Sequence, residues 1–153
     1  MPLNIIRKDI TLMDVDVIVN AANKELKMGS GVCGAIFKKA GASDMKIACD
    51  ILSPIETSEA VITPGYALKA DRVIHVAGPI YKDGNYNESY LLYNSYKNAL
   101  NLAKKYKCKS IAFPLISSGV YGYPKEQALE IAINSILDFL DDNEMNVFLN
   151  LIK

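Results

Sequence analysis

Histidine is nearly absent from this chain, and His75 stands alone. A His-Glu-x-x-His zinc site is therefore excluded. A histidine-based triad would have to use a residue inside the apolar run Arg72-Val73-Ile74-His75-Val76-Ala77, where a strand residue making a structural hydrogen bond is the expected role. Cysteine is scarce too. Cys33, Cys49 and Cys108 are odd in number and far apart in sequence, so they form neither a disulfide framework nor a zinc pattern. That usage suits a reducing compartment. Net charge is missing as well. Seventeen basic and seventeen acidic residues give no overall field to draw in a duplex or an anionic membrane, so neither partner is expected. The cluster Lys104, Lys105, Lys107 and Lys109 reads as a solvated helix end, where cations suit the negative end of the macrodipole. No apolar run approaches the ~20 residues that span a bilayer. Met1-Pro2-Leu3-Asn4 does not begin a charged segment followed by an apolar one, so no signal peptide and a cytoplasmic location are expected. No ligand cluster for a metal stands out, and no metal or cofactor is expected.

Aliphatic residues, by contrast, are plentiful. Half of the 153 residues are hydrophobic, enough for one domain whose core is covered on both sides. Short strand-like runs alternate with longer helical stretches. Strands are predicted at 16–20, 60–63, 72–77, 109–116 and 145–152. Helices are predicted at 31–40, stopped by Gly41; at 43–52, with Ser43 as N-cap; at 87–105; and from Pro124 onward. On the third helix Leu92, Tyr96, Ala99 and Ala103 recur on one face. On the fourth, Leu129, Ala132, Ile133, Ile136, Leu137 and Leu140 make a stripe. This alternation predicts a sheet with helices on both faces. Ligands of such sheets gather beyond the carboxyl ends of the strands, which directs attention to the loops after Asn20 and Ile116.

Both loops are rich in glycine. The first, Asn20-Ala21-Ala22-Asn23 through Gly29-Ser30-Gly31-Val32-Cys33-Gly34, opens a helix. Glycine lets the backbone approach a ligand, and a helix N-terminus carries about half a positive charge, so together they suit a phosphate. The second, Ser117-Ser118-Gly119-Val120-Tyr121-Gly122-Tyr123-Pro124, also lies between a strand and a helix. Two such loops can hold two linked phosphates from opposite sides, with a tyrosine against a sugar or base. Gly29-x-Gly31-x-x-Gly34 matches a dinucleotide fingerprint, but eight residues separate it from the strand, and Asp50 falls in a predicted helix where a strand-end acid is required. No Gly-Lys-Ser/Thr sequence marks a P-loop.

Five segments in order resemble the macro domain family. They are Lys8-Asp9-Ile10-Thr11, Val19-Asn20-Ala21-Ala22-Asn23, Gly29-Ser30-Gly31-Val32, Val73 to Pro79, and Pro114 to Gly122. The resemblance spans almost the whole chain and implies a three-layer α/β/α sandwich with a mixed, mostly parallel sheet and a cleft for ADP-ribose. It implies Asp9 at the adenine amino group, with the Ile10 N–H facing the ring. It implies Asn23 at the distal ribose, with Tyr121 lying against the same sugar. The diphosphate would be wrapped by Gly29, Ser30, Gly31 and Val32 on one side and Ser117, Ser118, Gly119, Val120 and Tyr121 on the other. Asn20 would hold its loop in shape, and Tyr123 would pack ahead of the helix.

The sequence departs from the MacroD-like deacylase branch at one position. That branch carries Gly-Gly-Gly-Val-Asp-Gly, with the aspartate placing water at the distal ribose, whereas Cys33 stands at the aspartate position here. Three roles for Cys33 are open: a small residue packing the helix start, a thiolate favoured by the helix N-terminus, or a bystander to a water held by the ligand's own phosphate. Lys24 and Lys27 read as exposed loop charges. The family continues past its last strand with an aromatic or acidic residue near adenine, whereas here Val147-Phe148-Leu149-Asn150-Leu151-Ile152-Lys153 stops and polar Asn150 interrupts an apolar strand, as in a truncated chain. The expected ligand is ADP-ribose, O-acetyl-ADP-ribose or ADP-ribosylated protein. Asn23, Tyr121 and Cys33 are the candidates for ester hydrolysis at the distal ribose, and a non-catalytic ADP-ribose reader is the alternative.

Overall fold

The computed structural model of the protein describes residues 2–151. In chain order its elements are β1 (Leu3–Ile6), a 3-10 turn (Ile10–Leu12), β2 (Val17–Ala21), α1 (Gly31–Ala40), α2 (Ala42–Leu52), β3 (Ala60–Pro64), β4 (Arg72–Val76), α3 (Glu88–Lys105), β5 (Ser110–Pro114), α4 (Lys125–Asp142) and β6 (Asn146–Asn150). The strands form one sheet in the order β1-β6-β5-β2-β4-β3. Every pairing is parallel except β3 with β4. The sheet is therefore mixed and mostly parallel, as expected.

Period-two alternation along each strand sorts the side chains into two cores. Val17 and Val19 of β2, Ile74 and Val76 of β4, Ile111 and Phe113 of β5, and Val147 and Leu149 of β6 face one side. There they pack under Leu92, Tyr96, Ala99 and Leu100 of α3 and Ala132, Ile136 and Phe139 of α4. Ile18, Val73 and Ala112 face the other side, under Ile36, Phe37 and Ala40 of α1 and Met45 and Cys49 of α2. Both faces are covered, which explains why these strands show no polar alternation in sequence. Each fully buried large apolar side chain stabilises the fold by about 1.5–3 kcal/mol.

The face predicted for α3 is correct, since Leu92, Tyr96, Ala99 and Ala103 are all buried. Other expectations need correction. Ser43 is not the N-cap of α2. Gly41, at φ 107°, both terminates α1 and precedes α2, and its carbonyl accepts from the Met45 N–H. Of the stripe predicted on α4, Ala132 and Ile136 are buried and Leu129, Ile133 and Leu140 pack against the same core, but Leu137 is 43% exposed, because the buried face is centred on Ala128, Ala132, Ser135, Ile136 and Phe139. Pro124 precedes the first residue of α4 rather than occupying it. Strand β1 escaped prediction, being four residues at a sheet edge, none of them buried. The strand predicted at 109–116 ends at Pro114, and that predicted at 145–152 ends at Asn150, with Ile152 outside the described residues. Because β2, β5 and β6 are parallel neighbours, their carboxyl ends, with the loops that follow β2 and β5, meet at one edge of the sheet.

Candidate functional site

The two glycine loops face each other across a cavity of about 420 Å³. Its floor is the carboxyl ends of β2, β5 and β6. One wall is the segment Gly29 to Cys33, the other Leu115 to Tyr121, and Ile10, Asn23, Lys125 and Asn150 close the ends. Of the residues singled out from sequence, Ile10, Asn23, Gly29, Ser30, Gly31, Val32, Cys33, Ser117, Ser118, Gly119, Val120 and Tyr121 all line this space. Asp9 does not. Its carboxylate accepts from the Thr11 N–H at 3.0 Å and the Thr11 hydroxyl at 2.7 Å, capping the 3-10 turn that presents Ile10.

Both walls offer free backbone donors. The first bond into helix α1 runs from Gly34 N to Ser30 O at 3.3 Å, and no side chain caps the N-terminus. The N–H groups of Gly31, Val32 and Cys33 therefore precede the helical ladder. Gly31 sits at φ 58°, in the left-handed region that favours glycine. Gly34 is required for a different reason: a Cβ there would lie 2.5 Å from the Gly29 carbonyl oxygen. In the opposite loop, Gly122 N and Tyr123 N bond to Gly119 O and Ser117 O. Among the described residues no such bond takes up the N–H of Gly119, Val120 or Tyr121. The hydroxyls of Ser117 and Ser118 donate to Pro79 O and Leu115 O at 2.7 and 2.8 Å, so this wall presents backbone rather than hydroxyls.

Side chains fix the shape of the first loop. The Asn23 amide donates to Lys27 O and accepts from Lys27 N, both at 2.9 Å. Each end of that carboxamide keeps one valence for a further partner. Below it, Asn20 Nδ2 lies 3.6 Å from Cys33 Sγ and 3.1 Å from His75 Nδ1, and its Oδ1 is buried without a partner. The Cys33 thiol donates to Lys27 O at 3.7 Å. His75 is fully buried, and Nε2 sits 3.0 Å from Thr63 Oγ1. Burial lowers its pKa to about 4, so at neutral pH it is uncharged and cannot favour a thiolate at Cys33. The expectation of a structural strand histidine is correct. Burial pushes the Tyr121 phenol upward, which keeps it a neutral donor. Tyr123 is buried against Tyr81, with ring centroids 4.8 Å apart, the packing role predicted for it.

Two contributors were missed. In the sequence Asn150 is only a polar break in a strand, yet in the fold it lines the cavity. Its Nδ2 donates to Lys8 O at 3.2 Å, and its Oδ1 is buried and unpartnered. Helical spacing marks Tyr96 as core alone. Its buried hydroxyl donates to Pro114 O at 3.2 Å and accepts from Ile116 N at 2.9 Å, which holds the start of the second loop. A tyrosine at a position that phenylalanine could fill was the available signal for it. Among the described residues no carboxylate lines the cavity, and Lys125 is the only charged side chain that does. The space therefore suits a polyanion. Among the described residues no group of three His, Cys, Asp or Glu side chains is placed to hold a metal, and no helix is long and apolar enough to cross a membrane.

Comparison with known proteins decides the family. The macro domain model matches residues 19–132. The chain belongs to the macro domain family. A macro domain-containing protein of Chlorobaculum tepidum is 49% identical over 146 residues, covering 93% of this chain and 84% of its own. The O-acetyl-ADP-ribose deacetylase of Salmonella typhimurium is 46% identical over 142 residues, covering 90% and 79%. Among solved structures, the Oceanobacillus iheyensis macrodomain with ADP superposes with a TM-score of 0.94 at 42% identity, covering 99% of this macro domain and 83% of that chain. The Trypanosoma brucei macrodomain in complex with ADP-ribose gives 0.89 at 33% identity, covering 98% and 63%.

Proposed function

We propose that the cleft binds ADP-ribose or a derivative carried on its distal ribose, and that it hydrolyses an ester at that sugar. The observation that carries this reading is the pair of opposed loops, each with free backbone N–H groups, around a cavity that no carboxylate of the described residues lines. Such walls neutralise a diphosphate without a metal. Relatives named as O-acetyl-ADP-ribose deacetylases and neighbours solved with ADP or ADP-ribose support the ligand class. In this reading Ile10 N–H meets the adenine edge, with Asp9 beside it using the carboxylate oxygen that Thr11 leaves free. Asn23 spans neighbouring ribose hydroxyls with its two remaining valences, and Tyr121 covers the same sugar. The attacking water is held by the ligand's own phosphate, because among the described residues no carboxylate lines the cavity to act as base.

Titration calorimetry with ADP-ribose, using AMP as the control, tests the assignment. Binding that requires the distal ribose is expected, and equal affinity for AMP would remove it.

A non-catalytic reader is the second reading, favoured by Cys33 at the wall where the hydrolase branch places an aspartate. Turnover of O-acetyl-ADP-ribose by the natural chain would end it. No turnover, together with activity gained in Cys33→Asp, would establish it. The gain expected from a restored base is about 10²–10⁴-fold.

A further inference from the structure

Two buried side-chain oxygens among the described residues have no hydrogen-bond partner, Asn20 Oδ1 and Asn150 Oδ1. Both are the acceptor ends of carboxamides. Of the two residues, Asn150 lines the cleft and Asn20 does not. A buried polar group without a partner is disfavoured. One that belongs to the wall of a binding space marks a place for a ligand donor.

The local structure fixes which end of this carboxamide is left over. Asn150 is the last residue of β6, in register with Ile6 of β1 and Pro114 of β5. Period-two alternation puts it on the same side as Phe148, which packs against the core that contains Ile10 and Ile18. An aliphatic side chain would satisfy that face. Asn150 instead buries a polar head there, at 2% exposure. Its Nδ2 donates to Lys8 O at 3.2 Å. A carbonyl only accepts, so the nitrogen is the end that meets Lys8, and Oδ1 is the end without a partner. Lys8 directly precedes Asp9, the cap of the turn that presents Ile10. Asn150 therefore braces this turn and keeps an acceptor at the same end of the cleft.

Resting on the ADP-ribose reading of the cleft, we propose that Asn150 is a specificity-determining residue at its base end, where Oδ1 accepts a hydrogen from the exocyclic amino group of the purine and disfavours a 6-oxo purine. That amino group carries two hydrogens. The Asp9 oxygen that Thr11 leaves free takes one, although Asp9 itself does not line the cavity. The second hydrogen needs another acceptor. Among the described residues, Asn150 Oδ1 is the buried side-chain acceptor of the cavity lining that has no partner. Hypoxanthine reverses the polarity at this position. It sets a carbonyl oxygen against Oδ1, acceptor facing acceptor. Because Oδ1 is already out of water in the free protein, accepting a hydrogen there adds little desolvation, which is a form of preorganisation.

The test pairs two ligands with two chains. ADP-ribose and inosine diphosphate ribose, its hypoxanthine counterpart, are titrated into the wild type and Asn150→Val. The variant should bind ADP-ribose about tenfold more weakly, the equivalent of one hydrogen bond, and bind the hypoxanthine ligand as the wild type does. The preference for adenine then narrows by the same factor. A bracing role alone predicts a different pattern, since losing the Lys8 bond loosens the turn for both bases. Equal losses for the two ligands, or no loss for either, overturn the assignment and leave the cleft reading standing. A second measurement needs no variant, and it decides the matter if Asn150→Val does not fold. In the wild type, the side-chain amide resonances of Asn150 should shift on saturation with ADP-ribose and stay near their free positions with the hypoxanthine ligand. The same response to both ligands overturns the proposal. Failure of the wild type to bind ADP-ribose at all overturns both this assignment and the reading on which it rests.

Discussion

The two loops that face each other across the cleft are built by different means. The loop after β2 is tied by side chains: Asn23 to Lys27, Cys33 to Lys27, and Asn20 to both Cys33 and His75. The loop after β5 is tied by backbone turns, two serine hydroxyls and the Tyr96 phenol beneath it. The first support contains an imidazole that titrates in the accessible range. The hydroxyls of the second support do not, since burial moves the Tyr96 phenol further above its usual range. Two walls of one cleft should therefore respond differently to acid and to side-chain deletion.

The largest expected effect comes from acid. His75 has a pKa of about 4 in the fold and about 6.5 when unfolded. Between those values the unfolded chain binds more protons, so stability rises with pH across that window and falls as pH drops through it. Lowering the pH from 7 to 4 should cost about 3 kcal/mol through this one residue. Urea unfolding of the wild type and His75→Gln at a series of pH values measures it. Parallel pH profiles for the two chains would show that the first loop's support is insensitive to acid after all.

Tyr96→Phe probes the second support. The ring and its packing on Phe113, with centroids 5.0 Å apart, are kept, but the Ile116 N–H and Pro114 carbonyl lose a buried partner. A loss of about 1–3 kcal/mol is expected, independent of pH from 4 to 7. Hydrogen exchange at Ile116 should accelerate while exchange at Lys27 is unchanged. Faster exchange at both amides would mean that the two supports are one coupled unit.

The smallest stability effect belongs to Asn23→Ala, since Lys27 is exposed and water can replace the lost partner. About 1 kcal/mol or less is expected in unfolding. ADP-ribose affinity should nevertheless fall about tenfold, the equivalent of one well-formed hydrogen bond to a sugar hydroxyl. Undiminished affinity would detach Asn23 from the distal ribose and leave it a loop brace only.

The family motifs and the positions of the glycine loops were legible in sequence because short-range chemistry specifies them. Gly34 must lack a side chain where Gly29 packs on the helix, and the buried strands announce themselves as unbroken aliphatic runs. The buried face of α3 was legible for the same reason, in that helical spacing alone places Leu92, Tyr96, Ala99 and Ala103 together. β1 was not legible, because a four-residue edge strand paired with β6 carries little pattern of its own. Nor was the inward turn of Asn150, which depends on a bond to Lys8, 142 residues away in the chain.

The amino-acid sequence by itself determined the alternation of strands and helices, the two glycine loops and the replacement of an acid by Cys33. All of these depend on residue type and local spacing. The tertiary structure alone decided that Asn20 stands between Cys33 and His75, that the Tyr96 hydroxyl holds the opposite wall, and that Asn150 reaches Lys8 at the end of the cleft. The physical reason is that hydrogen bonds between distant segments are set by how the sheet orders its strands. No local window of sequence contains both partners.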